Sequence, residues 1–200
     1  MTRKDRKMAK LYYKYGAMGS SKTAQALITK FNYEERGLKV WLIKPEIDTR
    51  EGGSVVRSRI GLEAPAYLVD SNENLFDTFM EKQDEGYRAI IVDECQFLTE
   101  EQVDQLHNIV MECEIPVLCF GLKTDFRTRV FPGSRRLFEI AESIHEIKTI
   151  CSCGRKATVN ARIDSEGKVI TEGEQIVIGG NESYIAMCYH CYKENCRGDK

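Results

Sequence analysis

Apolar residues in this chain fall in short runs separated by amphipathic stretches at helical spacing, the alternation of an α/β protein. Lys10–Tyr15 reads as a first strand and Val40–Ile43 as a second. Between them, Thr23–Arg36 carries Ala24, Leu27, Ile28 and Phe31 at helical spacing, with Gly37 as a stop. Strand, helix, strand in this order implies a parallel sheet with right-handed crossovers. Lys44–Gly61, with Pro45, Gly52, Gly53 and several charges, reads as a long polar loop. The pattern then predicts a strand over Ala66–Val69, a helix over Asn72–Gln83, a strand over Arg88–Val92 and a helix over Glu100–Cys113. Thr99, with Gln102 three residues on, supplies that last helix with a capping box. Ile115–Phe120 is the next strand, Leu122–Gly133 an irregular stretch and Ser134–Glu142 a helix, followed by apolar alternation near Ile144–Ile150. From Cys151 the spacing shortens to strands and turns, with strands expected at Ala157–Ile163, Glu174–Ile178 and Ser183–Met187. The change near Thr149 divides the chain into residues 1–149 and 150–200.

Composition narrows the class without naming a chemistry. Two hundred residues with 42% hydrophobic and 30% charged content describe a globular chain of one sizeable domain, or of one domain with a small appendage. A net charge of −2 and no clustered Lys/Arg face argue against nucleic acid as a partner. No apolar run approaches the roughly 18 residues of a membrane span. Met1–Lys10 is basic but lacks the apolar centre of a signal peptide, so the expected location is the cytoplasm.

Two segments carry the chemistry. Gly16-Ala17-Met18-Gly19-Ser20-Ser21-Lys22-Thr23 follows the first strand and opens the first helix. Backbone N–H groups at such a helix start, with the helix dipole behind them, form an anion site. A lysine there reaches terminal phosphates, and the following hydroxyl can ligate magnesium. The usual loop pattern has glycine before the lysine; here the residue is Ser21, which would be strained by about 1–2 kcal/mol if that position needs positive φ. The second segment, Ile90-Ile91-Val92-Asp93-Glu94-Cys95-Gln96-Phe97, brings two acids to the end of a buried strand. If both continued the strand they would point to opposite faces, one serving a metal and the other a different partner. Asp93 suits magnesium and Glu94 the proton of a hydroxyl nucleophile. Together these segments specify a nucleotide site in residues 1–149.

Eight cysteines in a chain expected in the cytosol point to core packing, redox chemistry or metal rather than disulfides. Cys95, Cys113 and Cys119 lie in or beside apolar segments and read as core. Cys151 with Cys153, and Cys188 with Cys191, form two tight pairs, the arrangement of a tetrahedral structural zinc site. His190 can stand in for Cys191 in this reading. A small subdomain of 150–200 stapled by zinc follows. Arg50, Arg57, Arg59, Arg127, Arg129 and Arg162 lie in loops or short strands and are individually solvated by expectation. Phe126 and Phe131 either line a pocket for a flat ring or anchor their loop to the core.

The stretches AMGSSKT, NYEERG, EIDTR, SRIGLEAPA, VDECQFLT, IPVLCFGLKTDF, KTICSCGRKA and EGEQIVIGGNESY resemble the zinc-containing thymidine kinases of bacteria and animal cytosol, over about Lys10–Tyr192. The resemblance implies a P-loop-type parallel sheet flanked by helices, with a zinc-ribbon-like β subdomain. It implies transfer of the γ-phosphate of ATP to the 5′-hydroxyl of thymidine, with Mg²⁺ accompanying ATP and zinc held by the four cysteines. Carried onto this chain, Glu94 matches the general base. Residues 16–23, Asp48, Arg50, Asp93 and Gln96 match the phosphate and metal side. Phe97, Leu122, Phe126, Phe131, Arg162, Ile178, Gly179, Gly180 and Tyr184 match the thymidine side, the last four in a loop that closes over the base. Homotetramer assembly and feedback inhibition by thymidine triphosphate are implied as well. Two departures stand out: Ser21 replaces glycine, and some bacterial relatives carry histidine where this chain has Cys191. Two other classes remain open at this point, a nucleotide-hydrolysing or nucleic-acid-binding module with a zinc ribbon, and a degenerate kinase kept as a binding protein.

Overall fold

The computed structural model describes residues 9–47, 53–175 and 184–197. The main sheet is built from β1 (Leu11–Tyr15), β2 (Val40–Pro45), β5 (Tyr67–Val69), β6 (Ala89–Val92), β7 (Val117–Gly121) and β8 (Ser143–Glu146). Their order across the sheet is β5-β2-β6-β7-β1-β8, and every pairing is parallel. A parallel sheet needs crossovers that cover both faces, which explains why β2, β6 and β7 are buried along their whole length.

Side chains alternate across that sheet. Trp41, Ile43, Ile90, Val92, Val117 and Cys119 face a layer made by α2 (Leu75–Glu81), α3 (Glu100–Cys113) and α4 (Pro132–Ile140), which contribute Phe79, Leu106, Ile109 and Leu137. Val40, Leu42, Ala89, Ile91, Leu118 and Phe120 face α1 (Lys22–Glu34), which contributes Ala26 and Leu27. Ile28 and Phe31, expected on the buried stripe of α1, are exposed instead; the helix packs through Ala24, Ala26 and Leu27. Helix α3 has the predicted bounds, and Thr99 and Gln102 form the predicted capping box, with the Gln102 backbone N–H donating to Thr99 Oγ1 at 3.1 Å.

The long polar loop after β2 is not a loop throughout. Residues β3 (Val55–Arg57) and β4 (Glu63–Pro65) pair as an antiparallel hairpin that inserts Val56 beside α1. Three-residue strands rich in charge leave no legible period, so pairing decided the structure where pattern did not.

The C-terminal part is a second sheet, β10-β9-β11, antiparallel, with β9 (Val159–Ile163) between β10 (Val169–Ile170) and β11 (Tyr184–Met187). The strand expected at Glu174–Ile178 is absent at the described Glu174 and Gln175, and β10 lies earlier. Helix α5 (Tyr189–Arg197), which the sequence pattern missed, packs Tyr192 on Val159, Ala161 and Val169. Among the described residues, no helix is long and apolar enough to cross a membrane.

Candidate active site

Strand β1 ends at Tyr15, and the chain turns through residues 16–21 into α1. The turn passes so close to its neighbours that a Cβ on Gly16 would lie 2.4 Å from the Ile147 carbonyl oxygen. Lys22 curls back, its ammonium donating to the Ala17 carbonyl at 3.0 Å, and its side chain is buried. Ser20 Oγ is buried with no hydrogen-bond partner among the described residues. Ser21 stands at φ 62°, ψ 27°, the left-handed conformation suspected from the missing glycine, and its side chain makes no cap to the helix. The strain therefore has no local return. Ser21→Gly is expected to stabilise the fold by about 0.5–1 kcal/mol after glycine's greater chain entropy is counted, raising the melting midpoint by about 1–4 °C. A lowered midpoint in a thermal melt would contradict this account.

Opposite the loop, β6 stops at Val92. Asp93 is buried and Glu94 follows at φ 52°, left-handed. This turn corrects the simple strand expectation: because Glu94 leaves the strand, both adjacent acids line the same cleft, facing Lys22, Thr23 and Leu122. A non-glycine residue in this conformation costs about 1–3 kcal/mol, and strain of this kind clusters at functional sites. Asp93 Oδ1 accepts from Thr23 Oγ1 at 3.3 Å. Burial, and next the neighbouring Glu94 charge, push the Asp93 carboxyl up to about 7, against opposing contributions from Thr23 and Lys22.

Gln96 is buried and reaches back to Glu94, with Nε2 donating to Glu94 Oε2 at 2.5 Å. Its other amide atom, Oε1, accepts from the Leu122 backbone N–H at 2.9 Å. The amide passes against Gly121, where a Cβ would lie 2.5 Å from Gln96 Oε1, so glycine at the end of β7 makes room for the clamp. Gln96 thus fixes the Glu94 carboxylate relative to β7.

The aromatic candidates sit farther along. Phe131 meets Phe97 edge-on with centroids 5.7 Å apart, and Phe126 is 1% exposed between the Arg127 and Arg162 guanidiniums at 5.4 and 5.3 Å. Both Phe126 and Phe131 are anchored into the protein, while Leu122 reaches the cleft beside Glu94. Arg162 of β9 lies opposite Tyr184 of β11 in register. Asp48, Arg50, Ile178, Gly179 and Gly180 lie outside the described residues.

Sequence reasoning passed over Asn160. This buried residue of β9 accepts from the Met18 backbone N–H at 2.8 Å and donates to the Thr124 carbonyl at 2.8 Å, tying the phosphate loop to the small sheet. An asparagine flanked by Val159 and Ala161 in a short strand was the available signal.

The sulfurs of Cys151, Cys153, Cys188 and Cys191 all lie within 4.8 Å of one another, with Cys153 and Cys188 3.7 Å apart. Backbone N–H groups of Cys153 and Cys188 directed at Cys151 pull its thiol down to about 6, an environment made for a thiolate. Four cysteine sulfurs grouped in this way can hold a metal ion. His190 points instead to Glu194, 3.1 Å away, and belongs with Cys191 and Glu194 to a second, exposed group.

Comparison with known proteins agrees over nearly the whole chain. The family model described as thymidine kinase matches residues 9–192. The thymidine kinase of Yersinia pseudotuberculosis is 47% identical over 188 residues, 94% of this chain and 96% of the relative. That of Escherichia coli (strain K12) is 46% identical over 193 residues, 96% of this chain and 94% of the relative. That of Legionella pneumophila (strain Lens) is 48% identical over 193 residues, covering 96% and 92%.

Proposed function

The chain belongs to the thymidine kinase family, and from that premise we propose how its residues divide the work. It is an ATP-dependent kinase that phosphorylates thymidine, an alcohol acceptor. Phosphoryl transfer leaves a protein little covalent chemistry; it must hold donor and acceptor in line, receive a proton and balance charge.

In this reading Glu94 is the general base. The observation that carries it is the Gln96 clamp: a carboxylate on the cleft, beside Leu122 and opposite the phosphate loop, held at 2.5 Å by a buried amide. Glu94 takes the proton of the thymidine 5′-hydroxyl as that oxygen bonds to the γ-phosphorus and ADP departs. Backbone N–H groups of residues 16–23 and the Lys22 ammonium hold the ATP phosphates. Thr23 and Asp93, already joined by a hydrogen bond, are the pair that would hold Mg²⁺, whose chemistry is to neutralise charge on the phosphates. Asp48 and Arg50 belong to the same side by resemblance.

Phe97, Leu122, Phe126 and Phe131 form the thymidine side in this proposal, completed by Arg162, Tyr184 and the segment containing Ile178, Gly179 and Gly180. Zinc fits the four cysteine thiols, a soft donor set with inward backbone N–H groups, and its role is structural. We divide the chain into a nucleotide-binding part, 1–149, and a zinc-stapled part, 150–200. Homotetramer assembly and inhibition by thymidine triphosphate follow from the resemblance, and with the cytoplasmic location expected from the sequence they belong to the same proposal.

The test is direct. Purified protein with ATP, Mg²⁺ and thymidine is expected to yield thymidine 5′-monophosphate, read by phosphorus NMR. Absence of transfer to thymidine, with ATP hydrolysed to phosphate instead, would favour the hydrolysing-switch alternative.

A further inference from the structure

Lys44 is a buried cation of the cleft with no role in the division of labour above. It lies near the C-terminal end of β2, on the strand face that carries Val40 and Leu42 against α1. Its register neighbour is Leu68 of β5, and the residue before it, Ile43, pairs with Val92 and accepts the Asp93 backbone N–H at 3.0 Å. The side chain is 1% exposed and lines the same cleft as Lys22, Asp93 and Glu94. Among the described residues no hydrogen bond or ion pair holds its ammonium.

A buried ammonium with no direct ion-pair partner among the described residues is unfavourable, and the rest of β2, Val-Trp-Leu-Ile and then Pro, is apolar. Lysine is tolerable there because its aliphatic stem packs while its head reaches the cleft. Among the described residues the cleft lining carries Lys22, Lys44, Arg57 and Arg59 against Asp93 and Glu94, with Arg57 also paired to Glu63 at 2.8 Å. Such a balance at the carboxyl ends of parallel strands suits a polyanion.

We propose that Lys44 is a second phosphate-contacting cation: its ammonium engages the phosphoryl group in transfer from the sheet side, while Lys22 does so from the loop. This rests on the phosphoryl-transfer reading of the cleft. Charge on the transferring group spreads over its outer oxygens, and a pre-placed cation in a partly water-excluded site stabilises it there.

Lys44→Met keeps length and volume and removes the charge. The expected result is a kcat lower by about 10–100-fold with the thymidine KM within about two-fold of wild type. In calorimetric titration, affinity for a non-hydrolysable ATP analogue should fall at least about five-fold more than affinity for ADP, which lacks the terminal phosphate. The melting midpoint should be unchanged or higher, since a buried charge with no direct ion pair among the described residues has been removed. Lys44→Arg should recover part of kcat. The proposal is overturned by a near-native kcat, by equal losses for the ATP analogue and ADP, or by a midpoint several degrees lower, the mark of a structural lysine. If wild-type protein transfers no phosphate to thymidine, the functional reading fails on its own, and the comparison of ATP analogue with ADP still decides Lys44.

Discussion

Glu94→Gln is expected to bind ATP and thymidine with near-native affinity and to turn over about 10²–10⁴-fold more slowly, the range that a positioned general base supplies. The substitution keeps the shape of the side chain and removes only its capacity to accept a proton. The left-handed backbone at Glu94 is set by the end of β6 and the helical turn that follows, so glutamine inherits it. The Gln96 amide, now facing an amide, still finds an acceptor in the new side-chain oxygen. Loss of turnover without loss of binding, measured by single-turnover kinetics and titration, separates proton transfer from positioning. Near-native turnover would remove Glu94 from the base role.

Asp93→Asn is expected to do two opposite things: stabilise the ligand-free protein at neutral and higher pH and reduce phosphoryl transfer by at least about 100-fold. The folded carboxyl sits near 7, above its ordinary value of 3.8, first because it is buried and second because Glu94 is adjacent. The folded state therefore holds this proton more tightly than the unfolded chain does. That contribution to stability is complete below about pH 3.8 and is lost as pH rises through about 7. At pH 8 the ionised carboxylate costs the fold on the order of 2–4 kcal/mol. Asparagine keeps an oxygen for the Thr23 hydroxyl and has no charge to bury. The midpoint of the variant should exceed that of wild type by about 5–10 °C at pH 8 and by much less at pH 5. An equal shift at both pH values, or a lower midpoint at pH 8, would mean that burial of this carboxylate is not what raises its pKa. The wild-type acid is then a stability cost retained for what it binds, the trade expected at an active site.

Much of this site was legible before any coordinates. The glycine-bearing turn after a strand and the acids ending another are local signals, and α3 announced itself through apolar spacing and its capping box. The left-handed geometry at Ser21 was foreseeable because a motif position normally held by glycine carried a side chain. The same geometry at Glu94 was not, because nothing in a strand-ending acid specifies where the backbone reverses. The β3–β4 hairpin escaped because three-residue strands owe their pairing to partners and not to a period. Helix α5 escaped because its polar sequence, beginning beside Cys188, buries little except Tyr192. Gln96, Asn160 and Lys44 share one reason for being underestimated. Each draws its meaning from atoms far away in sequence, such as the Leu122 N–H, the Met18 N–H or the shared cleft wall.

The Asn160 bridge has a consequence for how the molecule comes into being. The Met18 amide and its acceptor are 142 positions apart. At ribosomal rates of roughly 5–20 residues per second, the loop's partner is synthesised about 7–28 seconds after the loop itself. For most of translation the nascent chain carries a phosphate loop with one wall missing, even when the strands around it have already paired. Nucleotide held by the growing chain would find that loop under-braced until β9 emerges, and the finished grip arrives with the last quarter of the polypeptide. A stalled or prematurely released product ending near residue 150 would present the loop sequence intact and yet lack the amide that steadies it.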